Sequence, residues 1–194
     1  MHIYDSPYIQ LANQTLDWLP MDTQERYEEN LQTRRTLLQQ FNWIDTPIEY
    51  QFNSKGFRCE EFEPLPCVVF LGCSFTMGIG LPVADTWPSI VAKKLGLANF
   101  NLGIGGGSND TAFRLGHYWL SHLKPRLVIW QLTFQYRIEL LSIDQSVQIH
   151  GSDPDTWIGR DYMKHFITQP LNGVINKQKN QLALTARCAD LECH

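Results

Sequence analysis

The stretch Cys67-Val-Val-Phe-Leu-Gly-Cys-Ser-Phe-Thr76 decides the fold class of this 194-residue chain. Its first half, from Cys67 to Leu71, is apolar at every position, which is typical of a parallel strand buried on both faces. Its second half contains a glycine, a serine and a threonine, as expected where a strand ends in a turn. The stretch therefore predicts a buried parallel strand with polar residues at its carboxyl end.

Two more apolar strands follow along the chain, and helical segments separate the three. Asn99 to Leu102 is the second strand, and Leu127 to Phe134 is the third. Between the first and the second strand, Asp85 is the predicted N-cap of a helix that starts near Trp87. Glycine is favoured just after a helix, so Gly96 is predicted to end this one.

The second helical segment supports the same architecture. Ser108 or Asn109 is suited to cap its N-terminus, and Pro125 ends it. An apolar stripe at helical spacing predicts its buried face, formed by Ala112, Leu115, Trp119 and Leu123. Strands that alternate with helices in this way predict an α/β fold with a parallel sheet and right-handed crossovers.

The residues before the first strand predict a separate N-terminal extension. Asp22 to Glu25 is a capping-box pattern, and the polar stretch from Glu25 to Phe41 is rich in helix formers. Ile48 to Phe52 alternates like a half-buried strand, and Phe57 to Phe62 is a candidate return strand. We therefore expect a helix and a small hairpin in residues 1–65, followed by an α/β domain in residues 66–194.

Composition excludes several classes of function. The net charge is -4 and the positive residues are scattered, so no nucleic-acid partner is expected. The longest apolar run, Cys67 to Leu71, is far too short to span a membrane. The N-terminus lacks the basic start and apolar stretch of a signal peptide, so we expect a cytoplasmic protein. Five cysteines without a paired motif and six dispersed histidines predict reduced thiols and no metal site.

Polar and glycine residues gather at the carboxyl ends of the three predicted strands. Ser74 follows the first strand, Gly106 and Asn109 follow the second, and residues 133–137 end the third. Open α/β sheets bind ligands at this edge, so the convergence predicts a ligand site. A serine there is a nucleophile if a base takes its proton and backbone donors stabilise the oxyanion. The alternative is that Ser74 only caps or turns the chain.

These residues resemble two sequence blocks of the SGNH/GDSL hydrolase family. Val68-Val-Phe-Leu-Gly-Cys-Ser-Phe-Thr76 is similar to the first block, and Asn101-Leu-Gly-Ile-Gly-Gly106 is similar to the second. Asn53 to Arg58 also resembles a segment found upstream in some members. The resemblance implies a flavodoxin-like three-layer α/β/α fold, in which Ser74 is the nucleophile and a backbone donor. Gly106 matches the glycine of the family's oxyanion hole.

The third and fourth blocks of the family are altered in this chain. The family carries Gly-x-Asn-Asp after the third strand, whereas this chain has Leu132-Thr-Phe-Gln-Tyr-Arg137. The family's asparagine is an oxyanion donor, and either Gln135 or Asn109 is a candidate for that role here. The family's C-terminal Asp-x-x-His corresponds most nearly to Asp190 and His194, which are separated by three residues rather than two.

The catalytic acid and base stay open between several interpretations. Asp190 and His194 are the candidate pair, although residues 171–194 favour a helix, on which a spacing of four places both on one face. A second interpretation is that the chain is truncated before the fourth block. His150 and His165 are the remaining candidate bases.

The resemblance, which covers about residues 50–140, implies a serine esterase or acylhydrolase without a metal or a cofactor. Its implied substrate is a small-molecule or carbohydrate ester, for example an acetyl ester. The alternative is a catalytically inactive SGNH-like domain that serves as a binding or assembly module. The altered third and fourth blocks favour that alternative.

Overall fold

The structure, a computed structural model, describes residues 4–17, 24–46, 48–141, 146–149 and 170–193. Its strands are, in chain order, β1 (Thr15–Asp17), β2 (Glu49–Gln51), β3 (Cys67–Leu71), β4 (Ala98–Asn101), β5 (Leu127–Trp130), β6 (Ile138–Leu141) and β7 (Ser146–Ile149). Its α-helices are α1 (Gln24–Thr33), α2 (Arg35–Gln40), α3 (Ser74–Met77), α4 (Trp87–Leu95), α5 (Asn109–Leu123) and α6 (Pro170–Asp190). None of these described helices has the length and apolar content that crossing a membrane requires.

The central sheet has the strand order β4-β3-β5, and β3 runs parallel to both neighbours. Phe70 of β3 is paired with Asn101 on one side and with Ile129 on the other. The chain moves from β3 to β4 through α4 and then returns past β3 to β5 through α5. This reversal creates a topological switch point between β3 and β5, where α/β sheets open a ligand crevice.

The central strand is buried on both faces, which explains its unbroken apolar sequence. Val68 and Phe70 pack with α4, whereas Val69 and Leu71 pack with α5 and α6. Helices therefore cover both sides of a parallel sheet. This arrangement confirms the predicted fold class, an α/β domain with flavodoxin-like α/β/α layers.

The boundaries of α4 are confirmed, but its predicted N-cap is wrong. The helix begins at Trp87 and ends at Gly96, which is left-handed with φ 64°. Its N-cap is Thr86, whose hydroxyl accepts a hydrogen bond from the Ser89 N–H at 3.4 Å. Asp85 instead closes a short 3₁₀ turn, one residue too early to reach the free N–H groups of the first helical turn.

The capping and the buried face of α5 agree with the sequence. Ser108 is the N-cap, and its side chain forms a reciprocal capping box with Thr111. Ala112 and Leu115 lie in the main core, and the rest of the predicted stripe packs against it. This helix is therefore fixed at its N-terminal end, close to the carboxyl ends of the strands.

The N-terminal extension packs on the core, but it does not contain the predicted hairpin. β2 pairs in antiparallel with β1, and residues 57–62 form no strand. Phe57 and Phe62 instead turn inward onto Trp119, with ring centroids 5.7 and 5.1 Å away. The predicted return strand is wrong because burial of these rings in the core fixes the path of the segment.

The predicted helical stretch of the extension is interrupted. It forms α1 and α2, and the break lies at Arg34, whose φ of -135° is not helical. Asp22, the predicted capping residue, lies outside the described residues. The division of the chain at residue 65 stays a prediction.

The chain after β5 leaves the sheet earlier than expected. The strand ends at Trp130, so residues 131–134 of the predicted third strand are not part of the sheet. Gln131 instead forms hydrogen bonds with Leu71 and Thr76, and Thr133 forms hydrogen bonds with Asn109. β6 and β7 then pair in antiparallel. The predicted C-terminal helix is confirmed as α6.

Candidate active site

Ser74 is the third residue after the central strand and the first residue of α3. The Cys73 carbonyl accepts hydrogen bonds from the backbone N–H groups of Thr76 and Met77, at 2.9 and 3.0 Å. Ser74 is half-buried, and within the described residues neither its hydroxyl nor its N–H has a hydrogen-bond partner. A serine with an open hydroxyl and an open N–H therefore faces the switch point.

Two glycines allow this tight turn. A methyl group at Gly72 would overlap the Thr76 side chain, so the strand exit requires glycine. Gly78 ends α3 in the left-handed conformation, with φ 82°. The four-residue helix is thus bounded by glycine on both sides, and Ser74 is held at its start.

The loop after β4 packs directly against this turn. The Ile104 N–H donates to the Gly72 carbonyl at 3.1 Å. A methyl group at Gly103 would lie 2.6 Å from the Met77 nitrogen, so only glycine permits this approach. Gly106 is left-handed with φ 74°, and among the described residues no acceptor binds its N–H. The loop therefore adds a second open backbone donor beside the serine turn.

Asn101, the last residue of β4, connects the serine turn to the loop that follows β4. Its side-chain amide donates to the Thr76 carbonyl at 2.6 Å, and its side-chain oxygen accepts from the Gly103 N–H at 2.9 Å. The side chain is 2% exposed. Both polar atoms of the side chain therefore form hydrogen bonds with the backbone, and Asn101 links the serine turn to the loop after β4.

Tyr8 of the N-terminal extension contacts the loop that follows β4. Its hydroxyl donates to the Gly105 carbonyl at 3.5 Å, and its ring packs on Phe52 with centroids 5.6 Å apart. Burial raises the pKa of Tyr8, and the bond to Gly105 lowers it by less. Tyr8 is therefore a neutral donor at physiological pH.

Gln131, which follows β5, was missed by the sequence analysis. Its N–H donates to the Leu71 carbonyl at 2.9 Å, and its side-chain oxygen accepts from the Thr76 hydroxyl at 2.6 Å. The side-chain nitrogen has no acceptor within the described part of the chain. The sequence does contain a signal for Gln131, because it is the first polar residue within the predicted third strand, after Leu127-Val-Ile-Trp130.

Asn109 and Gln135, the two predicted side-chain donors, have different surroundings. Asn109 is buried and exchanges two hydrogen bonds with the backbone of Thr133, at 3.0 and 3.2 Å. It thereby ties α5 to the segment that leaves the sheet. Gln135 is exposed, and its backbone packs against Gly173 of α6. The structure does not bring its side chain into the contacts around Ser74.

The Arg58 guanidinium fixes the loop that follows α3. It is 2% exposed and donates hydrogen bonds of 2.6 to 3.3 Å to four backbone carbonyls, those of Glu49, Met77, Gly78 and Leu81. It also lies over the Tyr50 ring, 3.9 Å from the centroid, and the Tyr50 hydroxyl accepts from the Gly80 N–H at 2.7 Å. Burial lowers the pKa of Arg58, and Tyr50 raises it by less. An arginine stays charged even so.

The structure separates Asp190 from Ser74. Asn176 and Asn180 of α6 donate to the carboxylate of Asp110, at the N-terminal end of α5. Asp190 lies ten residues beyond Asn180, which is roughly 15 Å further along the helix. α6 runs alongside α5 in the same direction, with Asn180 at Asp110 and Leu184 at Gly116, so its last turn lies toward the C-terminal end of α5 and away from Ser74.

The candidate bases His150, His165 and His194 lie outside the described residues. The histidines that the structure describes, His117 and His122, both lie on α5. His117 packs against Tyr4 and Phe113, and His122 contacts the carbonyl of Tyr118. The described residues therefore contain no imidazole in contact with Ser74.

The described side chains also contain no group of three or more histidine, cysteine, aspartate or glutamate residues that could hold a metal ion. Three hydrogen-bond donors at this edge have no acceptor among the described residues: the N–H groups of Ser74 and Gly106 and the amide nitrogen of Gln131. Donors of this kind bind anionic oxygen.

Comparison with known proteins gives one structural likeness to report. No family model matches the chain, and no curated protein matches it. The chain is similar to the solved structure of AlinE4, an SGNH-hydrolase family esterase, at 22% identity and a TM-score of 0.30. The likeness covers 34% of this chain and 39% of the AlinE4 chain. The chain therefore matches well under half the length of that esterase.

The substitution Arg58→Met tests whether Arg58 stabilises the loop that follows α3. It keeps the apolar part of the side chain and removes the hydrogen-bond donors. Because buried carbonyls lose their partners, we expect unfolding free energy to fall by about 3 kcal/mol or more. Urea denaturation measures the change. The matched control is Arg126→Met at an exposed arginine without a side-chain hydrogen bond, where we expect less than about 0.5 kcal/mol. Equal stability of the two variants would contradict the role of Arg58.

Proposed function

We propose that this chain is a serine acylhydrolase of the SGNH type, which cleaves a small-molecule or carbohydrate ester through Ser74. The observation that carries the proposal is the open hydroxyl of Ser74 beside open backbone donors at the switch point of the sheet. Buried and half-buried polar groups are normally satisfied, so open donors in adjacent loops indicate a place for an anionic oxygen.

The proposed reaction begins with attack of the Ser74 hydroxyl on the ester carbonyl, while a base takes the hydroxyl proton. The carbonyl oxygen becomes an oxyanion, which accepts hydrogen bonds from the N–H groups of Ser74 and Gly106. Collapse of this intermediate breaks the bond to the alcohol, which receives the proton from the base. Water then attacks the acyl-enzyme by the same steps and releases the carboxylic acid.

Gln131 is our proposed third oxyanion donor, in place of Gln135 or Asn109. Its side-chain oxygen is held by Thr76, two residues after the nucleophile, so its orientation is fixed. Its nitrogen is open within the described residues, whereas the Asn109 amide is bonded to Thr133. An amide held in this way donates without a cost of reorientation during the reaction.

A second candidate function is binding without catalysis. It is favoured by one observation: Asp190, the candidate acid, lies on the part of α6 beyond Leu184, toward the C-terminal end of α5 and away from Ser74. Without a base the serine hydroxyl is a weak nucleophile. The same donors would then hold a carboxylate or another small anion.

The nucleophile is tested with a fluorophosphonate probe that labels activated serines. We expect the wild-type chain to be labelled and Ser74→Ala to be unlabelled, with ester turnover at background and an unchanged melting temperature. The matched control is Ser121→Ala, a half-buried serine on α5 near the other end of the sheet, which keeps full labelling. An unlabelled wild-type chain would contradict the hydrolase proposal and favour the binding module.

The third donor is tested by the pair Gln131→Ala and Gln135→Ala. Loss of an oxyanion donor lowers turnover by roughly 10²-fold. We expect this loss in kcat, with little change in KM, for Gln131→Ala, and wild-type kinetics for Gln135→Ala. The reverse result would return the role to Gln135.

The base is tested by removing each candidate in turn. Because Asp190 lies toward the C-terminal end of α5 and away from Ser74, we expect Asp190→Asn to keep the wild-type rate of p-nitrophenyl acetate hydrolysis. Single alanine substitutions at His150, His165 and His194 then identify the base by a loss of turnover at pH 7 in a folded chain. Loss of turnover in both Asp190→Asn and His194→Ala would restore the Asp190–His194 pair.

A further inference from the structure

The C-terminal end of α6 is closed by a Schellman motif. The Cys193 N–H donates to the Cys188 carbonyl at 3.0 Å, and the Glu192 N–H donates to the Ala189 carbonyl at 3.1 Å. Glu192 is left-handed with φ 53°, as the motif requires of the residue after the helix. Glycine usually occupies that position, so the sequence alone does not reveal this helix end.

The motif brings two thiols together. In Schellman motifs the residue after the left-handed position packs against the residue that accepts its N–H, and this contact is usually apolar. Here both residues are cysteines, and neither is in a disulfide. The Cys193 thiol donates a hydrogen bond to the Cys188 carbonyl, with the sulfur 3.4 Å from the oxygen.

The upper limit on the distance between the two Cα atoms is compatible with a disulfide. The Cα atoms of two cysteines in a disulfide are usually about 4.4–6.8 Å apart. The path from one Cα through the 3.0 Å hydrogen bond to the other limits their distance to roughly 7 Å. A bond between the two sulfurs therefore requires rotation of the side chains and little movement of the chain.

Small molecules can reach the pair. Both cysteines line an open cavity of about 800 Å³, whose other walls include Val128, Trp130 and Leu184. Cys188 is half-buried, and Cys193 is 7% exposed. The cavity lies beside the edge strand β5, along Val128 and Trp130.

We propose that Cys188 and Cys193 form a dithiol site that closes to an intramolecular disulfide by exchange with a low-molecular-weight disulfide. One cysteine, as a thiolate, attacks a sulfur of the small disulfide, which forms a mixed disulfide and releases one small thiol. The second cysteine then loses its proton and attacks the protein sulfur, which releases the other small thiol. Two electrons and two protons pass from the pair to the small disulfide.

The surroundings of the pair make this exchange slow. Burial raises the pKa of the Cys188 thiol, and the neighbouring Cys193 thiol raises it further. The thiolate, which is the attacking species, is therefore scarce at neutral pH. Exchange at neutral pH is therefore driven with an excess of the disulfide reagent.

The test is incubation of the folded 194-residue chain with excess cystamine, followed by alkylation of free thiols and tryptic digestion. Cleavage after Arg187 gives the peptide Cys188-Ala-Asp-Leu-Glu-Cys-His194, which contains both cysteines. We expect this peptide two hydrogens lighter than the reduced form, without alkyl groups, and restored by dithiothreitol. In Cys188→Ser or Cys193→Ser, the remaining cysteine keeps a cysteamine adduct because no second thiol displaces it.

The control is the same chain oxidised in concentrated guanidinium chloride, which proves that the reagent is active. The proposal is overturned if the folded chain keeps both thiols free where the unfolded chain is oxidised. It is equally overturned by two cysteamine adducts on the peptide, or by a cross-link from it to Cys59, Cys67 or Cys73.

Discussion

The rest of the structure depends on the burial of β3 on both faces and its pairing on both edges. All of its residues are inaccessible to solvent, so polar groups are excluded until the chain leaves the sheet at Gly72. Both neighbouring strands are parallel, so their exits meet the exit of β3 at one edge. The Gly72 and Leu71 carbonyls accept from Ile104 and Gln131, which fastens both flanking loops to the serine turn. The candidate site is therefore a direct consequence of how the central strand is buried.

The N-terminal extension contributes to the same edge. Through Arg58 it holds the carbonyls that follow α3, and through Tyr8 it supports the glycine loop. A buried cation that binds several carbonyls fixes backbone more firmly than separate neutral contacts would, because hydrogen bonds to charged groups are the stronger ones. Residues of both the extension and the α/β core thus contact the loops around Ser74, although the sequence patterns predict two separate segments.

The elements that could be predicted are those governed by local patterns. The apolar run of β3, the glycine at the end of α4 and the Ser108 cap follow from periodicity and capping chemistry, and the structure confirms them. The return strand over residues 57–62 was predicted wrongly, because tertiary burial of Phe57 and Phe62 outweighs local alternation. Gln131 escaped prediction for a related reason. Its role depends on Thr76, which is distant in sequence and adjacent only after the parallel strands pair.

The amide groups at the carboxyl edge of the sheet are of two kinds, those with a hydrogen-bond partner and those without one. The side chains of Asn101 and Asn109 form hydrogen bonds with backbone groups, so they stabilise the neighbouring segments. The N–H groups of Ser74 and Gly106 and the side-chain nitrogen of Gln131 have no acceptor among the described residues. Several donors without acceptors create a positive potential, which favours negative charge on an oxygen placed between them. Under either proposed function, these donors would bind an anionic oxygen, that of a tetrahedral oxyanion or that of a carboxylate. Catalysis requires in addition that a base removes the proton of Ser74, which makes serine reactivity the property that separates the two.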